Sequence, residues 1–353
     1  MRLAPRSGGG SGRSGRRKPN PAVLAVTGAL SLGWLVTLSA SAGGVLPEVA
    51  PSAPVHVNVL KLPARAAGVA SEQIRVTGEK PKLGNGKEGA FRTACDFSHM
   101  AFDDPIVFPG QPGRSHLHAF FGNTGVNAHS TAQSIASTGN STCRGGTANR
   151  SSYWVPAIID TLDGTPIKPE AAGIYYKTGY GGIAPKDVRP FPPGMRMIAG
   201  DPMNTSPSGP FRFKCVGGGA EALVGSGIQN CPVGAQLWQE IFFPQCWDGV
   251  NLDSPDHKSH MAYPSGGKCP ATHPVPTPAI TFNIIYKIPA TNAPLRWRLS
   301  SDNYGASLPG GYSSHGDWFN GWKPEIMDTF VKYCDQAAAD CHSHLLGDGR
   351  AIH

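Results

Sequence analysis

The chain has 353 residues, among them 45 Gly and 33 Pro, and a formal net charge of +7. Glycine and proline at this level, without a collagen-like period and with few charged residues, argue against long helices and for many short strands joined by turns. The charge carries less than its size suggests. Arg2, Arg6, Arg13, Arg16, Arg17 and Lys18 all lie before residue 43 in a stretch without acids, and without these six the balance is 25 basic to 24 acidic residues. The body of the chain therefore lacks the electrostatic footprint of a nucleic-acid binder.

In chain order, the basic start runs into PAVLAVTGALSLGWLVTLSASAGG, an uncharged apolar run ending in Ala40-Ser41-Ala42. A small-x-small end to such a run is the pattern of a secretory signal, so residues 1–42 read as a signal peptide and no membrane partner is expected after cleavage. The run is also long enough for an uncleaved N-terminal membrane anchor, the alternative reading. Residues 43–88, rich in Ala and Pro, read as a flexible linker, with PVHVNVLKL alternating enough for one edge strand. Residues 89–350 then form a single secreted domain, extracellular or associated with the cell wall.

All eight cysteines, at 95, 143, 215, 231, 246, 269, 334 and 341, follow the leader, and none forms a Cys-x-x-Cys pair. An even number in an exported chain argues for disulfides over zinc. Nearness in sequence favours Cys334 with Cys341, Cys246 with Cys269 and Cys215 with Cys231, leaving Cys95 with Cys143.

The first chemistry-bearing stretch is Ser115-His116-Leu117-His118. On a strand, alternation places His116 and His118 on one face, the simplest strand-borne way to aim two imidazoles at one metal or one substrate. In CRGGTANRSSYWVPA, Arg150 is a candidate for binding a substrate carboxylate. LWQEIFFPQCW and AITFNIIYKIP read as inner strands, the second being the clearest in the chain. Between them lies QCWDGVNLDSPDHKSHMAYP, where Asp248, Asp253, Asp256, His257 and His260 crowd one turn-rich loop, with Trp247 beside them and Cys246 and Cys269 as its clasp. HGDWFNGW adds His315, Asp317 and Trp318. From Trp322 the period changes: Trp322, Ile326, Phe330 and Cys334 recur every fourth residue, with Pro324 in a first-turn position, which predicts one C-terminal helix over 323–334. The fold expected is mainly β, a β-sandwich or jelly-roll-like single domain with long disulfide-clasped loops and one C-terminal helix.

The strings SHLHAFFGN, CRGGTANRSSYWVPA, PFPPGMRMIAGD, FPQCWDGVNLDSPDHKSHMAYP, HPVPTPAI and HGDWFNGW, in this order, resemble a secreted domain-of-unknown-function family of bacteria and fungi, sometimes joined to carbohydrate-binding modules. The resemblance spans about residues 90–350. It implies an extracellular, cell-wall or polysaccharide setting and no particular reaction.

Two readings follow. In the first, the chain is a hydrolase of cell-wall or extracellular polysaccharide. Asp248 and Asp317 would serve as the acid and base or nucleophile, with Asp256, His257 and His315 in support. Trp247 and Trp318 would be sugar platforms, and His116 and Arg150 would bind substrate. The sequence names no cofactor. A metal-assisted variant would hold a divalent ion with His116, His118 and one of His257, His260 or His315, of which His260 is the expected third ligand. In the second reading the same residues make a non-catalytic carbohydrate-binding or cell-wall structural module. No Gly-x-Ser-x-Gly elbow, phosphate loop or His-Glu-x-x-His helix is present.

Overall fold

The computed structural model describes residues 54–353 except Asn85 and Ser343, and the side chain of Tyr180. The signal peptide expected over 1–42 and the start of the linker lie outside the described residues. The rest of the expected linker belongs to the domain. Ile74–Val76 pairs with Arg350–Ile352, Val69 exchanges backbone hydrogen bonds with Ser141, and Ala66 donates to the Ser98 carbonyl. The alternating PVHVNVLKL stretch forms a 3-10 turn at Val59–Lys61 instead of a strand, its start tied down by Asn58 N–H on the Gly164 carbonyl.

The fold is mainly β. Nine strands matter for the site: β1 (Ala90–Ala101), β2 (His118–Gly122), β3 (Ser152–Pro156), β4 (Ala171–Lys177), β5 (Arg196–Gly200), β6 (Phe211–Val216), β7 (Gln236–Phe242), β8 (Ala279–Lys287) and β9 (His315–Phe319). They form one sheet in the order β6-β7-β8-β4-β1-β2-β3-β9-β5, with every neighbouring pair antiparallel. The long strand β1 is the hinge of the sheet. Its first half, Ala90–Asp96, pairs with β4, and its second half pairs with β2 across an irregularity between Phe97 and His99. A bulge bends and twists a strand, and the sheet curls here so that its two halves face each other.

Between the halves lies the main core, built from Phe91, Tyr153, Tyr176, Phe282, Trp318 and their neighbours. Alternation decides which residues enter it: Phe211, Phe213 and Cys215 point in from β6, while Arg212 and Lys214 point out. Gly316 on β9 faces this core, and a Cβ there would come within 3.1 Å of Ile241 and 3.2 Å of Phe282, so a bare backbone lets the layers approach. The far ends of the sheet are joined by Gln239 Nε2 donating to Ser314 Oγ at 2.9 Å.

The C-terminal helix is α2 (Pro324–Phe330), continued as a π-helical turn through Val331–Asp335, and it lays Phe330 flat on Phe91 with centroids 4.1 Å apart. The short α1 (Ala132–Ser137) starts at a Thr131–Ser134 capping box. Four disulfides join Cys95–Cys143, Cys215–Cys231, Cys246–Cys269 and Cys334–Cys341, the pairs that nearness in sequence favoured. Such cross-links suit a chain that folds in an oxidising, extracellular environment. Among the described residues, no helix is long and apolar enough to cross a membrane.

Candidate metal centre

The outer face of β2, β3, β5 and β9 carries a second, smaller core: Ile106, Phe120, Val126, Ile135, Trp154, Ile198 and Phe319. Residues 102–137 cover it. Strand alternation puts His118 with Phe120 on this face of β2, and His315 and Asp317 with Phe319 on this face of β9, while Trp318 goes to the opposite core. Phe120 stacks on Trp154 at 5.4 Å, which fixes the floor beside His118. The covering segment adds His116 and Asp104.

Two overlapping groups result. The ring nitrogens of His116, His118 and His315 lie within 4.8 Å of one another, as do ligand atoms of Asp104, His118 and Asp317. All but the partly exposed His116 are buried. His116 Nε2 and His315 Nε2 are 3.1 Å apart. The two nitrogens share a hydrogen bond at this distance, and the spacing also falls within the roughly 2.8–3.4 Å that separates two nitrogens bound at about 2.0–2.1 Å to one octahedral or tetrahedral ion.

Hydrogen bonds fix the ring orientations. His118 Nδ1 donates to the Asp103 carbonyl at 3.0 Å, and His315 Nδ1 donates to the Ser313 carbonyl at 2.8 Å. Each ring thereby turns an unprotonated Nε2 into the cluster, that of His118 without a partner and that of His315 accepting from His116 Nε2, the arrangement in which backbone carbonyls orient metal-ligating imidazoles. His118 Nε2 and Asp317 Oδ2 are buried and have no hydrogen-bond partner. Orphaned polar atoms of this kind cost stability unless something occupies the space between them.

The supports are themselves supported. The Asp103 carboxylate accepts from the N–H groups of Gly113 and Ala128. Asp302, buried, accepts from Leu299 N, Gly311 N and Ser313 Oγ, and so holds the loop that presents the Ser313 carbonyl. Asp104 Oδ1 caps the turn of Ile106 and Val107.

Without a cation the cluster resists charge. Burial pushes His118 down to about 4, against the pull of its bond to Asp103. Burial and then the neighbouring His118 push His315 to about 3, and burial with both neighbours lowers His116. Burial raises Asp317 well above the carboxylate range, Asp104 adding to it and Lys258 opposing, and burial also raises Asp104 against its turn N–H groups. A divalent cation takes the imidazoles in the neutral form that burial already favours and would reverse the preference of the carboxylates alone.

A cleft of 370 Å³ runs beside the cluster. It is lined by Ile198 and Gly200, the cross-strand neighbours of Asp317 and His315, and by Lys258, Met261 and Tyr263 from the long loop.

The profile described as Domain of unknown function (DUF1996) matches residues 104–322. The chain belongs to this DUF1996 family. The matched span contains every member of the His/Asp cluster, from Asp104 to Asp317. Among curated proteins and solved structures, nothing matches the chain.

Other expected site residues of the DUF1996 domain lie elsewhere or are already engaged. His260, the expected third ligand, has both ring nitrogens bonded, Nε2 to the Arg196 carbonyl at 2.7 Å and Nδ1 to Ser254 Oγ at 2.9 Å; His315 occupies the position expected for it. Asp248 is bound within its own turn: burial acts upward on it, but Val250 N, Asn251 N and Asn251 Nδ2 donate to it and hold it low. Asp256 is likewise an acceptor of turn hydrogen bonds from Ser259, Ser254 and Lys258, which lower it. Trp318 is fully buried against Phe191 and Tyr176 and offers no face to a sugar. Trp247 is half-buried and donates to the Asn251 carbonyl. Arg150 closes the end of α1, donating to the carbonyls of Gly139 and Ala136.

His257 remains available at the edge of the site, its Nδ1 on Asp253 Oδ1 at 2.9 Å and Asp253 in turn on Arg196 at 3.0 Å. Asp104 is the ligand-type residue that sequence reasoning missed, because an Asp before Pro105 reads as turn chemistry. Asp317 was foreseen as an acid, and its neighbours place it among metal-type ligands.

Proposed function

We propose that this DUF1996 chain is an exported protein that acts on extracellular polysaccharide through a metal-assisted hydrolytic centre. The observation carrying the reading is the pair of buried, unpartnered atoms His118 Nε2 and Asp317 Oδ2, set beside the Nε2 atoms of His315 and His116, which are bonded only to each other. A structural histidine buries both nitrogens against other groups, as His260 does; His118 leaves one open towards two further imidazoles and a carboxylate.

His116, His118 and His315 would hold the ion, with Asp317 and Asp104 converging on the same His118. When bound, a divalent ion supplies Lewis acidity and brings the deprotonation of water toward neutral pH. The chain's own part is to fix the His118 and His315 rings through the Asp103 and Ser313 carbonyls, and to exclude bulk water beneath the segments on either side of β2. The partly exposed His116 marks the open side. Lys258 and the Asp253-oriented His257 stand on the loop beside the cleft, where one can meet an anionic group and the other can carry a proton. The polysaccharide setting rests on the extracellular character of the disulfide-linked fold and on the resemblance noted from the sequence motifs.

The test is product release from a panel of cell-wall polysaccharides by the parent, the chelator-stripped protein, the stripped protein reloaded with divalent metal, and His315→Ala. Products from parent and reloaded protein alone support the reading. Products that persist after stripping and in His315→Ala contradict the metal-assisted centre, and no product from any polysaccharide contradicts the hydrolase.

A further inference from the structure

The outward face of β4, β7 and β6 carries a feature the His/Asp cluster does not use. Arg212 and Lys214 on β6 both pair with Glu240 on β7, Lys214 at 2.8 Å. Lys177 at the end of β4 lines the same cleft of 510 Å³ as Arg212, Glu240 and Phe242. Three cations therefore surround one carboxylate, a net charge of +2 on a single sheet face. Glu240 is almost fully covered, whereas the Arg212 side chain is 49% exposed, so the cations and not the acid present themselves to a ligand. Each charged group lies over an aromatic ring: Lys177 Nζ over Tyr175 at 4.6 Å, Arg212 Cζ over Phe242 at 5.4 Å and Lys214 Nζ over Trp238 at 5.0 Å. Such stacking holds the charges in fixed places. Burial lowers Lys177, with Glu240 opposing and the charges of Lys214 and Arg212 adding to the shift, which shows that the cations crowd one another.

Tyr263 lines both this cleft and the cleft beside His315. Its hydroxyl is turned in to donate to the Phe242 carbonyl, while the residue stays 48% exposed, so a ring face is left at the junction. A ring anchored at its polar end is a suitable stacking platform for a sugar. The two clefts thus meet at one aromatic residue, and an extended polymer lying across Tyr263 would reach from the basic face to the metal centre.

We propose that the Lys177–Arg212–Lys214 face binds a carboxylate-bearing polysaccharide and delivers the same chain past Tyr263 to the His/Asp cluster. The delivery half rests on the function proposed above; the binding half stands without it. Uronate carboxylates match the bidentate and point-charge donors that Arg and Lys provide. Glu240 acts as an internal competitor for these donors, which gives the proposal a sign that a merely structural role for the ion pairs does not share: neutralising Glu240 frees the cations and tightens binding.

The experiment is titration calorimetry of the disulfide-intact protein with polygalacturonate oligomers, with neutral β-glucan oligomers and single-stranded oligo-dT as comparisons. The expected result is binding of polygalacturonate that weakens by about tenfold between low and high salt, as screening requires. Binding should be lost by about tenfold in Lys177→Gln, retained in Lys177→Arg and tightened several-fold in Glu240→Gln. In a His315→Ala background the Lys177→Gln change should cost the same factor as in the parent, so loss of the metal centre and loss of this face are told apart. Equal binding of β-glucan, equal or tighter binding of oligo-dT, or weaker binding by Glu240→Gln with an unchanged melting profile would each overturn the proposal. Should Glu240→Gln fail to fold, the contrast of Lys177→Gln with Lys177→Arg decides: equal affinities overturn it.

Discussion

Asp302 links the stability of the fold to the geometry of the site, and Asp302→Ala separates the two contributions. The carboxylate is buried and accepts from Leu299 N at 2.9 Å, Gly311 N at 2.9 Å and Ser313 Oγ at 2.6 Å, with Arg298 Nε 3.6 Å away. Truncation strands the N–H groups of Leu299, Gly311 and Ser313, and leaves Arg298, only 10% exposed, with carbonyl partners and the Tyr304 ring but no counter-charge. Breaking one side of a buried ionic contact costs about 3–5 kcal/mol, and the orphaned donors place the expected loss toward the upper part of that range. The same loop presents the Ser313 carbonyl that orients His315. Metal affinity should therefore fall by about 10–100-fold, as for other supporting partners of ligating histidines. Urea unfolding followed by tryptophan fluorescence reads the first effect, and zinc titration of the folded variant below its transition reads the second. A stability loss under about 1 kcal/mol, or parental zinc affinity in the folded variant, would refute the reasoning.

Asp335 is buried with neither carboxylate oxygen hydrogen-bonded, and burial raises it well above the usual range. The folded state thus holds a proton that the unfolded state releases, so this residue's contribution is present below the unfolded carboxylate value and lost as pH rises, by about 1.4 kcal/mol per pH unit up to the folded value. Asp335→Asn should raise the melting temperature at pH 8 and change it little at pH 4; an equal shift at both pH values counts against this. The double variant Cys246→Ala/Cys269→Ala opens a loop with a sequence separation of 23 and should cost about 3 kcal/mol, with hydrogen exchange rising across residues 247–264; unchanged exchange there would show that the turn hydrogen bonds alone hold the loop. Gly316→Ala places a methyl 3.1 Å from Ile241 and should destabilise by about 1–3 kcal/mol; a variant as stable as the parent would mean that the two sheet halves can separate freely there.

The disulfide pairs, the C-terminal helix and the β-rich class were legible because each depends on local pattern. Cysteine spacing, a four-residue apolar period and Pro/Gly punctuation are all written in neighbouring residues. His116 and His118 were legible for the same reason. The third imidazole was not. His260 and His315 stand in equally suggestive stretches, and what separates them is a tertiary fact: the Arg196 carbonyl lies beside one ring, while the strand order β2-β3-β9 sets the other one strand away from His118. Trp318 shows the limit of reading aromatic residues as platforms, since alternation on β9 sends it inward once His315 and Asp317 face out. Asp248 and Asp256 look catalytic in composition and serve as turn acceptors, because Asp followed closely by Gly, Asn or Ser satisfies its own backbone first. The basic face at Glu240 left no motif in the sequence, since its charges come from three strands.

The central claim is that His116, His118 and His315 form a divalent-metal site, which Asp317 and Asp104 adjoin at His118. Its most direct test is metal analysis by inductively coupled plasma mass spectrometry of the disulfide-intact protein after stripping and reconstitution with a mixture of first-row divalent ions, alongside His118→Ala. One equivalent of metal per chain in the parent, and none in the folded variant, is the predicted result. A parent that retains no stoichiometric metal, or a His118→Ala protein that retains as much as the parent, would contradict it.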